Sequence, residues 1–321
     1  MRSRPTLRSR ATLHSLHALL AALAFAAGEL GAEEVGGAGR IAIATEVPGE
    51  LRISIDGLPF TTYHFAQGTD AQWAGPYFFP LRASDGVAVT SNRALDGGDH
   101  PHHRSLWFSH GDVNGANCWS FGHQQQHHHG FTQVGADSFV EELAWEAAPP
   151  ALEPVLKEVR TVRVVAGADG ARALEVTMRL SAGALPAVFH VQALADGKGG
   201  VEAGLCAVRV AAAMVAGGRL ENAQGGTGEQ PCRNQPAGWC DFTGTISGQA
   251  YGITIFDHPG NPGAPQAWHA RSYGLLAQTG PTSSTIAAGA TATLRYRIAI
   301  HIGVLQAPAA NAAAAAFAAA P

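Results

Sequence analysis

The chain has 321 residues, a formal net charge of -4, 46% hydrophobic side chains and only 14% charged ones. It can bury one large core or two small ones, and it carries no basic footprint of the kind a nucleic-acid partner requires. Its 15 histidines are concentrated rather than scattered.

The leader comes first. Arg2, Arg4, Arg8 and Arg10 make a basic patch, residues 16–27 are almost wholly apolar, and small residues follow at Ala24-Phe25-Ala26 and Leu30-Gly31-Ala32. That order reads as an export signal over residues 1–32, with a buried N-terminal helix as the alternative. The apolar run is too short to span a bilayer, and no later run reaches the length of a span. The expectation is a periplasmic or secreted protein with no membrane span after signal cleavage.

Beyond a Gly/Glu linker, residues 40–45 and 51–55 read as strands. Asp56-Gly57 is a tight-turn signal, and residues 58–65 return as the second arm of a hairpin. Residues 73–81, aromatic and punctuated by prolines, suggest an edge segment. Asp85-Gly86 is a further turn, leading into residues 87–90.

Next comes Gly98-Asp99-His100-Pro101-His102-His103-Arg104-Ser105-Leu106-Trp107-Phe108-Ser109-His110-Gly111-Asp112-Val113-Asn114-Gly115. It crowds imidazoles, carboxylates and a guanidinium together, side chains that are costly to bury without partners. Pro101 biases His100 towards extended backbone, and an extended run would put His100, His102 and Arg104 on one face. Residues 105–109 are its one strand-like piece. The low-complexity run Gln124-Gln125-Gln126-His127-His128-His129-Gly130 reads as a solvated loop.

From residue 131 the pattern is regular. Residues 138–147, 156–165 and 173–181 are strand-length, and Arg160, Val162 and Val164, then Arg172, Leu174, Val176 and Met178, alternate as on a half-buried sheet. Residues 187–193, 204–212, 251–256 and 291–302 continue the series. The fold class expected is all-β: one large antiparallel β-sandwich over residues 40–305 with long functional loops, followed by an Ala-rich tail over 306–321.

A second polar cluster, Phe256-Asp257-His258-Pro259 with Trp268-His269-Ala270-Arg271, is expected to meet the first in one cleft. A loop over residues 221–229 adds Glu221 and Glu229. One reading makes His102 or His103 a general acid/base with Glu221 or Asp257 as carboxylate partner. A second has a polar ligand held by His100, Arg104, Trp107, His110, Asp112, Asn114, Trp119, His258, Trp268, His269, Arg271 and Tyr273. There Trp107 and Trp119 are stacking platforms and Arg271 a fork for a carboxylate or polyhydroxyl group. A third lets part of the His/Asp set bind a divalent metal, although the spacing matches no strong signature; no other cofactor is expected. The bland alternative is loop histidines holding turns, with Arg271 bracing Asp257.

Cys118, Cys206, Cys232 and Cys240 either form disulfides in one of three connectivities, Cys232 and Cys240 being nearest along the chain, or remain four buried thiols.

Several of these stretches resemble one known family. Tyr77-Phe78-Phe79-Pro80-Leu81, the run from Asp99 to Phe108, His110-Gly111-Asp112-Val113-Asn114-Gly115, Phe256-Asp257-His258-Pro259 and Trp268-His269-Ala270-Arg271-Ser272-Tyr273-Gly274-Leu275 look like exported bacterial proteins of unknown function labelled the PmoA, or methane oxygenase PmoA, family. The resemblance spans about residues 51–302. It implies an exported β-rich domain similar to the galactose-mutarotase-like supersandwich, found beside carbohydrate-degrading machinery. It does not imply methane oxidation or copper, because the methane monooxygenase subunit of that name is a multi-span membrane protein. The expected function is a carbohydrate-active protein holding a sugar or sugar derivative in a His/Asp/Arg/Trp-lined cleft. Its chemistry would be acid/base, of epimerase, mutarotase, lyase or hydrolase type. The alternatives are a non-catalytic glycan-binding module and a metal-dependent hydrolase or oxygenase.

Overall fold

A computed structural model describes residues 40–66, 73–120, 124–167, 170–190, 192–193, 201–202, 204–279 and 284–320; the expected export signal lies outside them. The strands β1 (Ile41–Ala44), β2 (Glu50–Ile55) and β3 (Leu58–His64) open the chain. Asp56 and Gly57, at φ of 52° and 77°, make the tight turn of the β2–β3 hairpin, the backbone that an Asp-Gly pair tolerates. There follow β4 (Tyr77–Phe78), the short helix α1 (Arg93–Asp96), β5 (Leu106–Trp107), β6 (Gln126–Val134), β7 (Ser138–Trp145), β8 (Leu156–Ala166) and β9 (Arg172–Ala182). Then come β10 (Ala187–Phe189), β11 (Gln192–Ala193), β12 (Val201–Glu202), β13 (Cys206–Arg209), α2 (Ala212–Val215), β14 (Arg219–Asn222) and α3 (Glu229–Cys232). The chain closes with β15 (Trp239–Ile246), β16 (Gln249–Asp257), β17 (Trp268–Arg271), β18 (Leu275–Gln278), β19 (Ser284–Ile286), β20 (Thr291–Ile302) and α4 (Ala307–Ala319).

The architecture is an all-β sandwich of two eight-stranded sheets. The first runs β1-β2-β3-β4-β5-β13-β18-β17 and the second β14-β15-β16-β20-β9-β8-β7-β6. Side-chain alternation explains the layering. On β8 every second residue from Leu156 to Ala166 is buried. Ile53, Phe60, Phe78, Leu106, Val208 and Leu276 of the first sheet meet Phe139, Val162, Leu174, Ile255 and Ile298 of the second in one core.

Polar side chains also cross that core. Fully buried Arg160 donates to Glu158 (2.7 Å) and to the Tyr63 hydroxyl (3.1 Å), and Tyr63 in turn donates to Glu141. The alternation on β8 places Arg160 inward, and these partners explain how a guanidinium is kept there. The helix α4 covers part of the second sheet's outer face. Phe317 and Ala310 pack with Trp239 and Phe256, and Trp239 Nε1 donates to Asn311 Oδ1 at 2.8 Å.

Three expectations are corrected. Residues 77–78 are not at an edge: β4 lies between β3 and β5, and the flanking prolines only keep it two residues long. The Gln/His run is not a loop; it enters β6, paired with β7, because His128 finds Glu141 at 2.6 Å and packs against Phe65 and Phe131. The 98–104 stretch is a turn rather than an extended run. His103 N donates to His100 O at 2.9 Å and His100 takes a φ of 53°. Stacking of the His100 ring on both His103 and Tyr273 accompanies that backbone.

All four cysteines are free and buried. Among the described residues no helix is long and apolar enough to cross a membrane.

Candidate functional site

The site is built on the outer face of the first sheet. Register aligns His64, Tyr77, Trp107, Ala207, Ala277 and His269 as successive cross-strand neighbours over six strands. Their in-strand neighbours Phe78, Leu106, Val208, Leu276 and Ala270 face the core. In the middle of this ladder stand two alanines. Their small side chains pack in one cluster with Trp107 and Trp119, and the His100–His103 turn stacks its rings on Trp107 and Tyr273 of the same face.

That turn is anchored from both ends. Asn92 Oδ1 caps α1 by accepting from Ala94 N, as N-cap residues do, and Arg93 N donates to His103 O at 3.0 Å. Asp99 is gripped by Arg93 (3.0 Å), His100 (3.0 Å) and Arg209 (3.3 Å). Burial pushes its carboxyl up, but those three partners outweigh it and hold the group below the usual range. Arg209 also donates to His103 Nδ1 at 3.1 Å, which makes Nδ1 the acceptor and puts the ring proton on Nε2. The rings Tyr273, His100, His103 and Trp107 form a stacked column with spacings of 5.1, 5.0 and 5.3 Å.

Beside the column is a pocket lined by Trp73, Tyr77, His102, Arg104, Trp107, Ser109, Trp119 and Gln126 among others. It is a slot between rings: a water can occupy about 10 Å³ of it, within about 300 Å³ of unfilled volume that includes the open mouth. Two polar atoms of the wall, Trp107 Nε1 and Ser109 Oγ, are buried and have no protein partner. Burial first, then the charges of His100, Arg104 and Arg209, lower His102 to about 4. Burial first, then the neighbouring His102 and Arg209, hold His103 well below its ordinary value. Both imidazoles are neutral near neutral pH, so His102 at the pocket wall presents an uncharged but weakly basic imidazole there.

The structure brings the 268–273 stretch to the first cluster. His269 is within electrostatic reach of His103. Arg271 lies over Tyr273 at 5.3 Å and pairs with Glu229 at 3.2 Å rather than with Asp257. Thus His100, His102, His103, Arg104, Trp107, Trp119, His269, Arg271 and Tyr273 share one face.

The other expected site residues lie elsewhere. Trp268 is a core residue, its Nε1 donating to Ala237 O. His110 is buried with Nδ1 accepting from Asp112 N, and burial takes it to about 4. Asp112 caps a turn through Gly115 N, and Asn114 clasps Pro186 O and Val188 N. Asp257 belongs to the second sheet and accepts from Asn261 and Gln266, while His258 packs on Phe317. Glu221 sits on β14 and pairs with Arg219. The expected carboxylate partners, Glu221 and Asp257, are therefore not at the pocket: both are spent on local bracing.

Sequence reasoning missed Arg209, Tyr77, Trp73 and Ser109. Trp73 and Tyr77 lay in the aromatic segment 73–81 and Ser109 in the strand-like piece 105–109, while Arg209 showed only as a lone cation ending the apolar strand Cys206-Ala207-Val208. Among the described residues no three His, Cys, Asp or Glu side chains are arranged to hold a metal ion.

No curated protein matches the chain. A family model matches residues 50–315, and on that match the chain belongs to DUF6807, a family of unknown function.

Proposed function

We propose that this chain is a carbohydrate-active protein that holds a sugar or sugar derivative against the open mouth of the aromatic slot on the outer face of the first sheet. The observation that carries the reading is the pocket wall itself. Four aromatic residues, Trp73, Tyr77, Trp107 and Trp119, converge there with His102 and Arg104. Flat apolar rings beside a few fixed polar groups suit a ring that is apolar on its faces and hydroxylated at its edge. His102, neutral and at the wall, is the acid/base candidate, and the chemistry would be proton transfer at the sugar. The protein would work in the periplasm or outside the cell. The large two-sheet sandwich with a ligand site on a sheet face also fits kinship with the galactose-mutarotase-like supersandwich and the PmoA-labelled proteins.

A second reading, a non-catalytic glycan-binding module, is favoured by one observation: Glu221 and Asp257 are engaged elsewhere. A screen of neutral and acidic oligosaccharides by calorimetry, with Trp107→Ala and His102→Asn, tests both. Trp107→Ala should weaken binding at least about ten-fold, a loss of about 1.4 kcal/mol. His102→Asn should stop turnover while binding persists if the chain is an enzyme. Unchanged affinity in Trp107→Ala removes the sugar site from this pocket.

A further inference from the structure

Beside the slot the fold holds a histidine and a carboxylate in direct contact. Glu141 is fully buried on β7 and both of its oxygens are used. The Tyr63 hydroxyl donates to one, and the other lies 2.6 Å from Nδ1 of His128 on β6. A carboxylate only accepts, so Nδ1 carries the ring proton and the lone pair is left on Nε2. A base oriented in this way by a second group is an arrangement suited to proton transfer. The surroundings fix it. Arg160 donates to Tyr63 at 3.1 Å, and the His128 imidazole packs against Phe65 and Phe131 with ring centroids 4.6 and 4.7 Å away. Nε2 makes no hydrogen bond among the described residues, and 18% of the side chain is exposed. His128 also lines a cavity of about 230 Å³ with Phe65, Trp73, Gln125 and Gln126. Trp73 and Gln126 line the aromatic slot as well, so the two spaces share a wall.

We infer that this cavity is a second sugar subsite in which His128 Nε2 takes the proton of a substrate hydroxyl, with Glu141 as its positioning residue. The inference rests on the sugar reading above and narrows the substrate class to an oligosaccharide of at least two units. One ring lies at the mouth of the slot and the next lies across Trp73, in the cavity. In the transfer the substrate O–H bond breaks, its electron pair stays on the sugar oxygen, and an Nε2–H bond forms. The imidazolium so made keeps its Nδ1–H on the Glu141 carboxylate, a counter-charge that is already in place. This pair supplies what Glu221 and Asp257 do not, since both are engaged away from the slot.

Ring spectra of the full chain labelled with 15N-histidine test both halves, the His128 signals being assigned by their loss in His128→Gln. At about pH 8, above the range in which an ordinary imidazole charges, the wild-type ring should carry its proton on Nδ1 and none on Nε2. A proton on Nε2, alone or with one on Nδ1, overturns the proton-acceptor role. Glu141→Leu, which removes the acceptor, should turn the single tautomer into a mixture; an unchanged tautomer overturns the role of Glu141. Should that variant not fold, the wild-type spectrum still decides. Xylobiose, cellobiose and maltose are then added in turn, with calorimetry reporting binding. A disaccharide that binds should shift the Nε2 resonance of His128 and leave that of exposed His129 in place. Binding without a shift at His128 overturns the subsite and leaves the sugar reading standing. Binding of none overturns both.

Discussion

His102 and His110 are held neutral chiefly by burial, each at about 4, and His103 is displaced in the same direction. An unfolded histidine takes its proton near pH 6.5. Between about pH 6.5 and about pH 4, therefore, the unfolded chain binds more protons at these sites than the folded chain, and stability falls as the pH drops. Asp257 acts in the opposite sense. Burial raises it from 3.8 to about 6, against the hydrogen bonds that it accepts, so it takes up a proton on folding and gains stability over part of the same window. Burial displaces His64 and His258 downward too, while at His301 burial is outweighed by Asp241 and the shift is upward; five lowered imidazoles outweigh one raised imidazole and one carboxyl. Thermal melts from about pH 7 down to about pH 5 should show a falling midpoint, with a shallower fall in His110→Asn; a midpoint flat or rising on acidification contradicts this account. The same residues show where single-residue reading stops. The polar run at 98–115 stood out on composition, yet composition could not divide the pocket residue His102 from His110, Asp112 and Asn114. Those three are set apart by their partners, which lie at residues 112, 115, 186 and 188.

At the scale of elements, period-two alternation was legible wherever one face packs and the other is wet. Residues 138–147, 156–165, 173–181 and 291–302 accordingly emerge as β7, β8, β9 and β20 within a few residues. It failed where a polar residue earns its place through a distant partner. β6 looked like a solvated run because Glu141, which engages His128, arrives from the next strand. The turn at His100 was hidden for a related reason, since its ring is stacked on Tyr273, far along the chain. The ladder across β4, β5, β13, β18 and β17 could not be read without register, and it makes the alanines meaningful. Ala207 and Ala277 are fully buried although they point away from the core. Ala207→Leu should overpack the cluster that Ala207 shares with Trp107 and Trp119 and cost about 1–3 kcal/mol by denaturant melting. No measurable cost would mean that this cluster is not tightly packed around Ala207.

On the scale of the whole molecule, two sheets share one core, and their outer faces are used differently. The second is partly covered by α4 through Trp239, Phe256 and Phe317. The first carries Trp73, Tyr77, Trp107 and Trp119 in a separate aromatic cluster, roofed by one polar turn and bordered by Arg271 and Tyr273. The sandwich class followed from strand spacing and turn residues, but which of the two outer faces would gather the aromatic and histidine cluster did not, because that depends on which strands become neighbours. The most direct test is a crystal structure of the chain with its tightest-binding disaccharide. The sugar ring should lie against Trp107 and Trp119 with an oxygen in contact with Arg104 or His102. A disaccharide seated instead beside Asp257 and His258, or on the face covered by α4, would contradict the account.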